Sequence, residues 1–285
     1  MGKYYYLIAG LADFSLDDLK APYSFNGFKD EVYSQLSEHD QKLMDLFSYE
    51  YDCRNLLALL GNKDSLDESS LDDRGLFGAD QLQNLIIQVR NDEPTDKCFP
   101  SFMATFIREY MSEEWQGYYS FAEDRLFSLY FEFAMNSGNA FVSNWFSFRL
   151  DLNNIRTAFT ARKYNLDIQS LIVGNGETAM ALRTSGARDW GLSQSLPYFD
   201  RISRIQDETD LTARERKIDV LQWEWLEENT FFNYFGIEKL LSYLLRLGIV
   251  ERWTRLDSAE GQKFFRAMID ELKSQVEIPG EFRNN

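Results

Sequence analysis

The chain has 285 residues, 44% of them hydrophobic and 27% charged, a net charge of −16 and a pI of about 4.6. A chain of this size buries roughly three quarters of its unfolded surface, so stability needs neither a disulfide framework nor a metal staple. The acidic balance offers no Lys/Arg stripe for neutralising phosphates, which excludes nucleic acid as a partner and disfavours spontaneous docking on anionic lipid.

From the N-terminus, Tyr4 to Ile8 is β-prone but too short to build a sheet, so an extended lead-in packed on helices is expected. No adequate apolar h-region or cleavage pattern follows Lys3, so no signal peptide is expected. Gly2 does not open a myristoylation motif, because Tyr6 stands where Ser or Thr is needed. No run approaches the ~18 apolar residues of a bilayer span, so direct membrane insertion is not expected.

Only five prolines interrupt the chain, and long stretches without a breaker read as helix. The single histidine, His39, lies among Ser37, Glu38 and Asp40 and reads as a solvated side chain near a helix start. One histidine cannot supply HExxH zinc ligation. Cys53 and Cys98 form no CxxC pair and read as reduced, packed thiols of a cytoplasmic protein. Residues 61–78 are acidic and Ser-rich, which predicts a solvated loop.

A helix is predicted from Glu113, with apolar residues from Trp115 to Phe133 in steps of three and four, ending at Asn136-Ser137-Gly138-Asn139. A second helix follows from Phe141 to about Tyr164, and a short turn between two long helices makes an antiparallel hairpin. Gly174-Asn175-Gly176-Glu177-Thr178-Ala179 fits GxGxxA, but a dinucleotide site needs that turn inside a βαβ unit, and helical sequence precedes it here. Residues 174–191 therefore read as a connection needing positive-φ glycines. Thr212-Ala213-Arg214-Glu215 matches a capping box opening a helix to about Glu228. Ile237 to Leu247 forms a further apolar stripe interrupted at Gly248, and a last amphipathic helix is predicted from Ala259 to Val276.

Acidic pairs occur at Asp17-Asp18, Asp72-Asp73, Glu113-Glu114 and Glu227-Glu228. Neighbouring helical residues diverge by about 100°, so such pairs rarely converge on one ion, and they read as solvated acid. There is no GxxxxGK[ST] element. No catalytic, cofactor-binding or metal-ligating residue is expected, and no cofactor.

Comparing the chain with itself aligns Phe47-Ser48-Tyr49-Glu50-Tyr51-Asp52-Cys53-Arg54-Asn55-Leu56 with Phe146-Ser147-Phe148-Arg149-Leu150-Asp151-Leu152-Asn153-Asn154-Ile155. Phe, Ser, Asp and Asn are shared, which points to a duplicated helical unit. Asp at a helix start can cap free N–H groups, and Asn three residues on can bond a neighbouring helix. An architectural role is therefore expected for Asp52, Asn55, Asp151 and Asn154.

This Asp-x-x-Asn-(Leu/Ile) element resembles the recurring element of the rotor-adapter subunit (called C or d) of V/A-type rotary ATPases. The second copy, continuing Arg156-Thr157-Ala158-Phe159-Thr160-Ala161-Arg162, is the fuller match, and Leu240 to Glu251 is similar to a third unit that lacks the Asp/Asn pair. The opening KYYYLIAGLADFSLDDLK and the whole-chain layout resemble the uncharacterised bacterial family DUF2764, typical of Bacteroidetes, which we read as a divergent rotor adapter. The resemblance implies an all-α protein of pseudo-repeated helical bundles forming a three-lobed, funnel-like cup. The lobes would span 1–96, 97–205 and 206–285. It also implies a non-enzymatic adapter that couples the central stalk to the membrane rotor ring and transmits torque. Such an adapter is cytoplasmic and held peripherally at the inner membrane by its protein partners. The alternatives are a helical interaction scaffold outside any ATPase and an acidic all-helical Mg-dependent enzyme.

Overall fold

A computed structural model describes residues 3–18, 20–61, 71–112, 121–233 and 235–275, with the backbone alone from 257. Among the described residues the chain is all-α, with twelve helices and no strand. The first half holds α1 (Tyr5–Ala9), α2 (Phe25–Tyr33), α3 (Glu38–Gly61), α4 (Ala79–Arg90), α5 (Ser101–Met111) and α6 (Ala122–Met135). The second holds α7 (Ala140–Tyr164), α8 (Ile168–Leu171), α9 (Glu177–Thr184), α10 (Phe199–Gln206), α11 (Leu211–Thr230) and α12 (Ile237–Gln275).

The long helices α3 and α7 organise the packing. Against α3 lie α4 and α6, and α5 packs between those two; against α7 lie α8, α9 and α10. The α6–α7 hairpin joins the halves, while α11 and α12 close the bundle against α10 and α2. One apolar cluster runs from Tyr4 to Val250 and includes Phe28, Phe106, Tyr130, Trp145 and Leu244, each almost fully buried. Rings dominate it: Phe102, Tyr130, Phe131 and Phe146 lie 5.2–5.7 Å apart between centroids in tilted or edge-on contacts, the arrangement that aromatic quadrupoles favour.

The hairpin turn forms as the sequence predicts. Asn139 caps α7, its Oδ1 accepting from the Val142 N–H at 3.1 Å. The start predicted at Glu113 lies outside the described residues, and α6 is described from Ala122.

Several local expectations are corrected. Tyr4 to Ile8 is not extended: residues 5–9 make one helical turn. The Tyr4 ring is buried, its hydroxyl bonded to Asp40, and the Tyr4 N–H donates to the Phe235 carbonyl. Tertiary anchoring thus overrides β-propensity. Thr212 does not cap α11. Asp210 does, accepting from Ala213 N–H at 2.6 Å, because a carboxylate two residues earlier reaches the free N–H groups first. The connection 174–191 contains the helix α9. Gly248 interrupts nothing and sits inside the continuous α12. A glycine in a helix costs about 1 kcal/mol; here Gly248 lies against Phe25 and Tyr51, and Leu240, Leu244 and Leu247 around it are fully buried.

Candidate functional site

The duplicated segments lie inside α3 and α7, with Asp52 and Asp151 each more than ten residues from the helix start. The expected helix-start capping by Asp52 and Asp151 is therefore wrong. Backbone N–H groups in a helix interior are already bonded to the preceding turn, so a carboxylate there has no free N–H of its own helix to cap.

In the first copy it serves instead the segment leading into α4. Asp52 Oδ2 accepts from the Leu76 N–H and Oδ1 from the Phe77 N–H, both at 3.0 Å. One turn further along α3, Asn55 Nδ2 donates to the Asp72 carbonyl at 2.9 Å while its Oδ1 accepts from the Asp72 N–H at 2.8 Å. A carboxamide is the side chain that can satisfy both backbone groups of one residue at once. Gly75 passes so close that a Cβ there would lie 2.5 Å from Asp52 Oδ1. The Asp72 carboxylate in turn binds Arg74 at 2.5 and 2.8 Å, and that guanidinium lies 4.1 Å from the Tyr51 ring centroid. Residues 71–78 are thus not the solvated loop the composition predicts but a segment tied down on α3; residues 62–70 of that loop lie outside the described residues.

The second copy repeats the asparagine geometry. Asn154 Nδ2 donates to the Val173 carbonyl at 2.8 Å and Oδ1 accepts from the Val173 N–H at 2.9 Å. Gly174 follows with φ of +81°, a conformation that favours glycine. Asp151 diverges from Asp52: its partners are the Tyr198 hydroxyl, donating at 2.9 Å, and the Thr178 hydroxyl in the first turn of α9. The residues matching GxGxxA therefore form the turn into α9, with Gly176 at its N-cap, and not a strand–turn–helix.

Burial acts on the two aspartates alike. It pushes Asp52 up to about 6 against the two backbone N–H groups that favour its charged form. Asp151 is also raised by burial, with Thr178 and Tyr198 opposing.

The two copies also face each other. Phe47 stacks on Phe146, with ring centroids 5.6 Å apart and planes 17° from parallel. Glu50 pairs with Arg149 at 2.5 Å and with Arg54 at 2.6 Å. Burial alone would raise the Glu50 carboxyl, but Arg149, with Arg54 and Arg74, outweighs it and holds the group at about 2. Aligned positions of the two segments are thus in direct contact.

Beside Asp151 and Asn154 an open cleft of ≈ 660 Å³ runs between α6, α7 and the turn into α9. Arg125 on its wall is held by both oxygens of Glu109 at 2.6 and 2.7 Å. Elsewhere His39 is exposed in the first turn of α3. Cys53 is buried, as expected, with its thiol pushed up by burial; Cys98 is exposed and not packed. Of the acidic pairs, Asp72 is bound to Arg74, while Glu227 accepts from Trp223 Nε1 at 3.0 Å; Glu113 and Glu114 lie outside the described residues. Among the described residues no three of His, Cys, Asp and Glu converge so as to hold a metal ion, and no helix is long and apolar enough to cross a membrane.

Sequence reasoning missed the Glu50–Arg149 pair, although the alignment places an acid and a base at one position. Phe231 and Phe232, in the turn between α11 and α12, are exposed.

Over residues 1–276 the chain matches the family described as "Protein of unknown function (DUF2764)", and it belongs to that family. No curated protein and no solved structure matches it.

Proposed function

We propose that this DUF2764 chain is a non-catalytic adapter of a V/A-type rotary ATPase, carrying torque between the central stalk and the membrane rotor ring. In this reading it is a three-lobed cup in the cytoplasm, held at the inner membrane by its partners. The observation that carries the reading is the repeated carboxamide clasp. Asn55 and Asn154 each fasten the N–H and C=O of one residue downstream of their own helix, with nearly equal distances. The element that resembles the rotor adapters is thereby used for architecture in both copies. In each Asn the side-chain nitrogen and oxygen are both engaged in holding backbone.

Transmitting torque needs stiffness, which close-packed helices supply. The joined duplicates add to it: a stacked ring pair and a charge-assisted hydrogen bond tie α3 to α7. The acidic surface fits a chain that reaches a membrane through proteins and not through lipid.

The test is co-purification. A tagged full-length chain, expressed at native level and extracted from membranes in mild detergent, is expected to bring down the stalk and ring proteins of the rotary ATPase. Recovery without either favours the helical scaffold outside an ATPase. Mg²⁺-dependent diphosphate binding in a calorimeter would replace both readings with the enzyme.

A further inference from the structure

The cleft beside Asp151 is one half of a longer groove. A second open hollow of ≈ 690 Å³ lies between the end of α5, the start of α6 and the α8–α9 turn, and the two share Arg125, Ser128 and Gly174 as walls. Each alone has the volume of a small-molecule site, and joined they offer more room than one such ligand fills. The walls are mixed: Leu150 and Leu196 are half-buried, and Phe121 is 37% exposed.

The charge of the groove is one-sided. Asp124, Glu132, Asp151 and Glu177 line it, and among the described residues its only lining cation is Arg125. That guanidinium is neutralised through both oxygens of Glu109, and Glu132 acts on it only at longer range. Arg183 meets the groove at the Ile172 carbonyl, 2.6 Å from its Nη2. Among the described residues none of the four lining acids is in an ion pair.

The fold accounts for two of these acids and not for the others. Asp124 and Glu177 stand in the first turns of α6 and α9, where a helix end favours negative charge. Glu132 stands in the last turn of α6, where the helix end is itself negative and no basic residue offsets it. Asp151 is half-buried with the neutral hydroxyls of Tyr198 and Thr178 as partners, so burial raises its pKa with no cation opposing. A cationic group entering the groove supplies what these carboxylates lack.

We propose that this groove is the docking site for a basic segment of a partner protein, one that carries Lys or Arg among apolar residues. Glu132 and Asp151 receive its cationic heads. Leu150 and Leu196 carry the methylene stems, as long basic side chains lay their stems on apolar surface. The volume favours a segment of chain over a free polyamine, which would fill a small part of it. The docking needs no ATPase, so this inference stands or falls apart from the adapter reading.

The test is fluorescence anisotropy of a fluorescein-labelled peptide of alternating Lys and Val, titrated with the full chain at about 0.1 M salt. Binding is expected, with none to the matching peptide of Glu and Val. Glu132 and Glu177 are exposed. E132K/E177K is expected to weaken binding ~10-fold or more, because both acids become like charges for the peptide, with the far-UV circular dichroism unchanged. D30K/E31K makes the same change of net charge at two exposed positions of α2, outside the groove, and is expected to bind as the wild type does. Full binding by E132K/E177K overturns the proposal, as does a wild-type chain that leaves the Lys peptide unbound. Equal weakening in D30K/E31K reduces the effect to net charge and overturns it too. Spermidine that displaces the peptide at an equal concentration of amine gives the groove to a small polyamine and overturns the assignment to a protein segment.

Discussion

Glu50 and Arg149 occupy the same aligned position in the two duplicated segments and are joined by an ion pair of 2.5 Å. What one copy supplies as an acid the other supplies as a base, so a contact between like positions becomes attractive.

Breaking that pair from one side should be costly. E50A leaves the Arg149 guanidinium, 21% exposed, without its main counter-charge. It is expected to destabilise the chain by about 2–3 kcal/mol, somewhat below the loss for a fully buried pair. E50M/R149M, which removes both charges and keeps volume, should recover most of it. Urea unfolding of the three proteins checks this, and equal loss in the double variant would refute it.

The clasps can be broken without changing shape. N55D and N154D remove one donor each and set a carboxylate against the Asp72 or Val173 carbonyl. Each is expected to cost about 2–3 kcal/mol, the penalty for leaving a buried partner unsatisfied beside a charge. D151A removes a carboxylate held by two hydroxyls and no backbone group, so a smaller loss of about 1 kcal/mol and a melting temperature lower by roughly 2 °C are expected. Thermal scans rank the three, and a D151A protein melting with the wild type would contradict an architectural Asp151.

Gly75 should tolerate no side chain. In G75A the new methyl would sit 2.5 Å from Asp52 Oδ1, so the carboxylate must leave the Leu76 and Phe77 N–H groups. A loss of about 2 kcal/mol is expected. Gly186 has open space around its missing Cβ, and G186A serves as the near-neutral control in the same denaturation series.

The pH dependence of stability follows from Asp52. Its folded pKa, about 6, lies above the ordinary value of 3.8, so between these the folded chain binds more protons than the unfolded one. Stability owed to this group therefore falls as pH rises from about 4 to about 6, by at most about 3 kcal/mol. Glu50 runs the other way: its folded pKa of about 2 lies below 4.5, and its contribution is present above pH 4.5 and lost as pH falls toward 2. D52N should flatten the curve between pH 4 and 6 and leave the acid limb below 4 intact. An unchanged slope in D52N would assign the pH response to other groups.

The helical class and the α6–α7 hairpin were legible because apolar periodicity and breaker residues are local signals, and Asn139 announced the turn it caps. The duplication was legible from four shared residues, but its use was not. The partners of Asn55 and Asn154 lie 17 and 19 residues downstream, and a side chain bonding distant backbone leaves no periodic trace. The break expected at Gly248 failed for a related reason, since packing against Phe25 outweighs intrinsic propensity and is invisible in one dimension. Phe231 and Phe232 carry the composition of a core, and only their exposure separates them from it.

The clasp on Asp72 has a consequence for how the chain tolerates change. The backbone leaves α3 at Gly61 and is caught again by Asn55 and Asp52 before α4 begins. A change that loosens Asn55 or Asp52 therefore reaches α4 as well as α3, because the entry into α4 hangs on those two side chains.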